Sequence, residues 1–274
     1  MRKYLVLLAL VFSCISAVAQ LPDAQRTAVE SAVSKFMTDN KVPGLSLAIV
    51  SDGGMVWSHG FGYADLEDQS RAKETTLYRL ASVSKPLTAV GAMELWEQGK
   101  LDLDAPVQKY FPAFPQKQWP ITTRQLLGHL SGVRHYHENV ENDAELMNTR
   151  HFDSIEAGMA FFKDAPLLFQ PGTKMQYTTH GYTVIGCVIE GASHQTYIDY
   201  MRQAVFAPAG MAHTQQDVLA TIIPERTRFY AKGEKGGVEN AGLLDSSYKV
   251  PGVVCFRTRK TSPALRSPCS TTSW

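Results

Sequence analysis

A serine and a lysine three residues apart, Ser82 and Lys85, stand in the stretch Tyr78-Arg79-Leu80-Ala81-Ser82-Val83-Ser84-Lys85-Pro86. A serine hydroxyl at neutral pH is a poor nucleophile and needs a base within hydrogen-bond reach. A lysine can be that base once its pKa is lowered, and burial and the positive end of a helix dipole both lower it. An apolar run follows at helical spacing: Leu87, Val90 and Met93, with Ala89 and Ala92, then Leu95 and Trp96, stopped by Gly99. A helix beginning near Ser82 puts positions i and i+3 on one face, so hydroxyl and ammonium meet. Pro86 fits its first turn, where the missing amide had no intrahelical partner. The same helix start leaves backbone N–H groups, that of Ser82 included, for a developing oxyanion. Spacing alone is a weak signal, because S-x-x-K arises about once by chance in a chain of this length. A second copy, Ser246-Ser247-Tyr248-Lys249, has no helical pattern behind it and reads as a loop serine.

These residues need elements to hold them. Upstream, Val29, Ala32, Val33, Phe36 and Met37 predict an amphipathic helix with one buried face, broken by Val42-Pro43-Gly44. Leu45 to Val50 and Met55 to Gly60 read as strands joined at Ser51-Asp52-Gly53-Gly54, a hairpin signal. Gly60-Phe61-Gly62-Tyr63-Ala64-Asp65 reads as a loop leaving the sheet. Thr122-Thr123-Arg124-Gln125 is a capping-box pattern opening a short helix through Leu126, Leu127 and Leu130, ended by Ser131-Gly132. Residues from about 100 to 170 read as a mostly helical subdomain with turns at its prolines. Beyond Pro171-Gly172 and Tyr177, helices are expected over Thr183 to Ile189 and Tyr197 to Val205. The expected class is α+β, an α/β sandwich: an antiparallel sheet flanked by helices.

At 274 residues, 44% hydrophobic and 19% charged, the chain can bury one large core. A net charge of +1 gives no reason to expect nucleic acid or an anionic membrane as partner. Arg2 and Lys3 precede an apolar run from Tyr4 to Ile15, and Ala17-Val18-Ala19 follows with small residues. This pattern reads as a secretory signal over residues 1–19, cut after Ala19, too short to span a membrane; the protein is then secreted or periplasmic. Of the four cysteines, Cys187 sits in an apolar helical run as a small core residue, and no disulfide framework or zinc spacing follows. His135-x-His137 with Glu138 has no further ligand at metal spacing. Neither a G-x-S-x-G elbow nor a phosphate loop occurs, so no metal or cofactor is expected.

The order of the motifs carries more than any one of them. A hairpin is followed by Ala81-Ser82-Val83-Ser84-Lys85-Pro86, Gly99-Lys100-Leu101-Asp102-Leu103-Asp104 and Leu126-Leu127-Gly128-His129-Leu130-Ser131-Gly132. Then come Pro171-Gly172, Tyr177 with Gly181-Tyr182, and Ala209-Gly210-Met211 with Thr214. This string resembles the serine β-lactamase and penicillin-binding-protein superfamily, in its class C β-lactamase-related branch. The run Arg124 to Tyr136 is most similar to the β-lactamase-like serine proteases related to the mitochondrial member. The resemblance, over roughly residues 25 to 250, implies acyl transfer on an amide or ester, with a peptide-like substrate and with β-lactam or D-Ala-D-Ala activity open. Ser82 would be the nucleophile, Lys85 its base, and Tyr177 the phenol that passes a proton to the leaving group. Read without the resemblance, Tyr177 is a half-buried packing residue. Thr179 stands where the family usually has asparagine and would be substrate-binding, a departure that favours the protease branch over β-lactam turnover.

The family's third motif, a Lys-Thr-Gly or His-Thr-Gly on a strand, has no match, and Lys260-Thr261-Ser262 lacks a strand pattern. The contrasting reading is therefore a truncated, catalytically inactive relative that binds peptides or assembles with itself. After Pro251-Gly252 the composition changes. Residues 253–274 hold no acidic residue, four basic ones, eight Ser/Thr and two cysteines. This segment reads as a disordered basic tail or a frameshift. Codons compatible with Val253 to Trp274 accommodate, in a neighbouring frame, an S-x-x-E helix start with an apolar helical face. The frameshift reading divides the chain into a signal, an incomplete hydrolase domain over 20–252, and an aberrant tail. It expects a C-terminally incomplete sheet and a poorly folded, nearly inactive product.

Overall fold

Two glycine-flanked strands form the sheet. In the computed structural model, which describes residues 20–136, 145–252 and 255–257, β1 (Gly44–Ser51) pairs antiparallel with β2 (Gly54–Asp65). The hairpin turns through Asp52 and Gly53, both at positive φ. A short β3 (Ser70–Arg71) completes a three-stranded sheet in the order β1-β2-β3. β2 runs further than its alternation predicts, because the stretch from Gly60 to Asp65 stays in the strand. A Cβ at Gly60 would come within 2.3 Å of the Ala72 carbonyl oxygen, and Gly62 sits at φ +66 against the Pro43 carbonyl. Glycines that suggest a loop in sequence here permit backbones to pass closely.

The first helix, α1 (Asp23–Asn40), forms as expected and ends at Lys41 in the left-handed region. Its apolar face is only half covered: Val29, Val33 and Met37 are half-buried, whereas Ala32 is exposed and Phe36 is 51% exposed. The predicted buried face is thus a single i, i+4, i+8 line. Among the described residues the sheet is three strands wide, and none of β1 or β2 is fully buried.

The core lies in the other half. β4 (Leu77–Arg79) leads through a 3₁₀ turn (Ala81–Val83) into α2 (Ser84–Glu97), which buries Thr88, Gly91, Ala92 and Leu95. The stretch from Leu101 to Phe169 has helical regular structure in short pieces. These include α3 (Thr123–Leu127), with its capping box between Thr122 and Gln125, and α4 (Ile155–Gly158). The centre is α5 (Thr179–Ser193), buried at all but Glu190, Gly191 and Ser193. It extends past the expected Thr183 and Ile189 because Thr178 caps it by accepting the Gly181 N–H. α6 (Tyr197–Met201) continues as a π turn to Phe206. A small hairpin, β5 (Tyr230–Lys232) with β6 (Val238–Asn240), had no signal in the sequence.

Within the segment read as an aberrant tail, β7 (Cys255–Arg257) pairs with β4; the remainder lies outside the described residues, as do residues 1–19, His137 and Glu138. Ser246 lies in a loop, as read, but a buried one: it is 4% exposed, with Lys249 N–H bonded to its carbonyl. Cys187 is a core residue, 2% exposed, and burial pushes its thiol up. Among the described residues no helix is long and apolar enough to cross a membrane.

This division predicts unequal costs for truncation. Leu126→Ala, at a fully buried site, should lose about 2–5 kcal/mol. Phe36→Ala should lose less than about 1 kcal/mol, since surface substitutions change little. Urea denaturation of the two variants measures the contrast.

Candidate active site

Ser82 reaches solvent because the chain turns sharply just before it. Ala81 has φ +47, a left-handed conformation that costs an L-residue roughly 1–2 kcal/mol. The strand leading in is held by Arg79, whose guanidinium pairs with the fully buried Asp217 carboxylate. Arg226 binds the second oxygen of that carboxylate at 3.0 Å. An ion pair buried on this scale needs both partners, so Asp217 ties β4 to the segment before β5.

Lys85, in the first turn of α2, is 4% exposed, and its Nζ donates to Ser82 Oγ at 3.2 Å. Tyr177 Oη approaches the same oxygen at 2.7 Å. Lys85 Nζ also lies 4.9 Å from the Tyr177 ring centre and 5.7 Å from that of Tyr182. Two groups expected from sequence thus converge on the hydroxyl of the third, Ser82. Burial pushes the Lys85 ammonium below its ordinary value, against the opposing pull of the Tyr177 phenol. Burial would raise Tyr177, but hydrogen bonds from Lys85 and Ser82 and the Lys85 charge outweigh it and lower the phenol. Burial thus makes the base form of Lys85 more accessible than in water, and Lys85 in turn makes that of Tyr177 more accessible, which suits proton transfer near neutral pH.

Thr179 is buried just inside this triangle. Its hydroxyl lies close enough to the phenols of Tyr136 and Tyr177 to pull both toward lower pKa. Burial pushes the Tyr136 phenol up to about 12, so it acts as a neutral hydrogen-bonding group. Gly252 closes the inner wall: a Cβ there would lie 3.2 Å from Thr179 Cγ2 and 3.5 Å from Lys85 Nζ. Gly252 and Tyr136 went unassigned from sequence. Neither belongs to a spacing pattern, and only the fold carries the buried turn from Ser247 to Gly252 past Lys85. Lys249 of the second S-x-x-K copy lies 5.3 Å from the Tyr136 ring centre and 4.8 Å from that of Tyr248. Among the described residues no group of His, Cys, Asp and Glu could hold a metal ion.

The loop from Ser131 to Tyr136 is tied to α5 by a buried charge network. Arg134 binds Glu145 through Nη1 at 3.0 Å and Nη2 at 2.5 Å, and His180 Nε2 lies 3.0 Å from Glu145 Oε2. The His180 ring stacks on Phe162 at 4.2 Å, and Thr178 Oγ1 donates to the Arg134 carbonyl at 2.7 Å.

An exposed serine with a buried lysine and a phenol, set between an antiparallel hairpin and a helical core, is an arrangement of the β-lactamase and penicillin-binding family of serine hydrolases. The family described as Beta-lactamase matches residues 29–264, and this chain belongs to it. It is 34% identical over 274 residues to the Serine beta-lactamase-like protein LACTB, mitochondrial, of Homo sapiens. That alignment covers 77% of this chain and 50% of the human protein. It is 32% identical over 191 residues to Penicillin-binding protein 4* of Bacillus subtilis (strain 168), covering 68% and 40% respectively. Among solved structures, the octameric penicillin-binding protein homologue from Pyrococcus abyssi superposes with a TM-score of 0.70 at 25% identity, over 86% of this chain and 54% of that one. The chain spans about half the length of the curated relatives it matches.

The charge network makes a pH-dependent prediction. Burial would raise the Glu145 carboxyl, but His180 and Arg134 outweigh it and hold it down at about 2, against an ordinary 4.5. Its contribution is therefore fully present above about 4.5 and lost as pH falls through about 2. Glu145→Gln should destabilise by about 3–5 kcal/mol at pH 7, as breaking a buried pair does. The gap to the parent protein should narrow below pH 4.5 and close near pH 2 in denaturation curves taken across that range.

Proposed function

We propose that this protein is an exported serine hydrolase that cleaves an amide or ester of a peptide-like substrate through an acyl-enzyme. The observation that carries this reading is the approach of Lys85 Nζ and Tyr177 Oη to one exposed hydroxyl from elements 95 residues apart. In the attack, Ser82 Oγ forms a bond to the substrate carbonyl carbon while its proton passes to the Lys85–Tyr177 pair. The backbone N–H of Ser82 at the helix start faces the developing oxyanion. Collapse of the tetrahedral intermediate breaks the bond to the leaving group, which takes a proton from Tyr177. Water then attacks the ester on Ser82, gives its proton to the same pair, and regenerates the hydroxyl.

Thr179 in place of asparagine supports a peptide over a β-lactam, because it offers one short hydroxyl, already turned toward the two phenols. Kinship to β-lactamase-like and penicillin-binding proteins supplies the alternative substrates to compare: a penicillin and a D-Ala-D-Ala peptide. Export rests on the basic, apolar and small-residue pattern ending at Ala19.

A fluorophosphonate should add to Ser82 and a chromogenic ester should give a burst, both lost in Ser82→Ala and Lys85→Ala. Tyr177→Phe should lower turnover on the order of 10²–10⁴-fold, the usual worth of general acid–base catalysis. Intact-protein mass spectrometry and stopped-flow absorbance read the two effects. An adduct that persists in Ser82→Ala removes the assignment. No burst from the parent protein leaves the binding-only reading.

A further inference from the structure

Two histidines flank the corner around Ser82 and Tyr177, and their geometry is paired. His129 Nδ1 accepts the backbone N–H of Thr178 at 3.2 Å, and His135 Nδ1 accepts that of Thr179, also at 3.2 Å. These are the cap and first residues of α5, where N–H groups have no intrahelical acceptor. The same two rings bracket Tyr177. His129 lies 4.6 Å from it, tilted, and 5.3 Å from Tyr182. His135 meets Tyr177 edge-on at 5.4 Å. His129 itself is held at φ +59, with its N–H on Leu126 and its carbonyl accepting from Gln176, so the ring is delivered by a constrained backbone.

We propose that His129 and His135 are positioning residues for Tyr177: as neutral Nε2–H imidazoles they dock the first turn of α5 and clamp the phenol against Ser82. A neutral imidazole has one acceptor nitrogen and one N–H. Because each Nδ1 is turned to a backbone donor, each proton sits on Nε2. Protonating either ring would set N–H against N–H at Thr178 or Thr179 and abolish the docking bond, and at His129 it would add a cation facing Lys85. The charged and titratable groups facing the pair are Lys85 on α2, Tyr177, His180 and Tyr182 at the start of α5, and Tyr136 in the loop. Burial and the Lys85 charge hold His129 below its ordinary value, which keeps the acceptor form in place at neutral pH. The sign follows: docking is present above the histidine pKa and lost on acidification.

The role assigned here rests on Tyr177 acting in the proposed hydrolase, so the test has one arm with activity and one without. Asparagine places an amide oxygen where Nδ1 stands, and it does not titrate; leucine fills the space without an acceptor. His129→Asn and His135→Asn should keep turnover of a chromogenic ester within about threefold at pH 8. His129→Leu should lose on the order of 10²-fold in kcat with little change in KM, as for a misplaced catalytic group. The parent should lose activity in an acid limb that lies below the ordinary histidine value of about 6.5, since burial and the Lys85 charge hold His129 lower, and that limb should be shallower in the double Asn variant. Independently, long-range ¹H–¹⁵N spectra at pH 7.5 should show both rings as Nε2–H tautomers, each signal assigned by its loss in the Asn variant. Asn variants as impaired as the Leu variant, an unchanged acid limb, or an Nδ1–H tautomer overturns the proposal. Absent turnover with both tautomers as described removes the hydrolase reading and leaves the docking in place. Where a Leu variant fails to fold, the Asn pH profile and the spectra decide.

Discussion

The burial of α5 is the constraint on which the rest of the structure depends. Its face from Thr179 to Ala192 is covered by α2, α3, α4 and the buried turn at Ser247–Gly252. Fully burying a Val, Ile or Leu side chain is worth about 1.5–3 kcal/mol, and Val184, Ile185, Val188 and Ile189 are all fully buried. Such a helix can neither slide nor rotate without opening the core, because interiors are close-packed. Its N-terminus is consequently a fixed point, and Tyr177 immediately precedes it. α2 packs on α5, so Lys85 and Ser82 are held relative to the same point.

Around that point, polar groups buried for the site are satisfied in chains rather than singly. Thr88 Oγ1 bonds both the Tyr197 phenol and the Pro251 carbonyl at 2.6 Å, linking α2, α6 and the turn that walls Lys85. Arg134, Glu145 and His180 bind the loop bearing His135 to α5. A buried lysine is tolerated here because its head group has the Ser82 and Tyr177 oxygens as partners, and desolvation then works for the chemistry by lowering its pKa.

The sheet half has a different character. β1 and β2 are half-buried at most positions and exposed at the hairpin end, α1 contributes one line of side chains, and β1 pairs only with β2 among the described residues. The hairpin orients the entry to β4 and the turn at Ala81, while the helical half supplies the packing. Arg79, Asp217 and Arg226 are the charged link between the two.

Much was legible in the sequence because it depends on short-range patterns. The Ser82–Lys85 spacing, the apolar period of α2, the hairpin turn at Asp52-Gly53 and the Thr122 capping box each report a local backbone preference, and each appears in the structure. The ordered motifs also marked Tyr177 and the family, since several weak signals in one order exclude chance better than any single one. Other features could not be read locally. The glycines of β2 are strand glycines because Pro43 and Ala72 cross them. The apolar stripe of α1 is half-exposed because little lies beneath it. Gly252, Tyr136 and the acceptor nitrogens of His129 and His135 enter the site only when α5 is seated against the loops before and after it. The sequence by itself determined which serine, lysine and phenol the chain carries and the helices beside which they stand. Tertiary packing decided which oxygen they share and which neighbours shift their proton affinities, because those are set by through-space distances and burial that no spacing along the chain encodes.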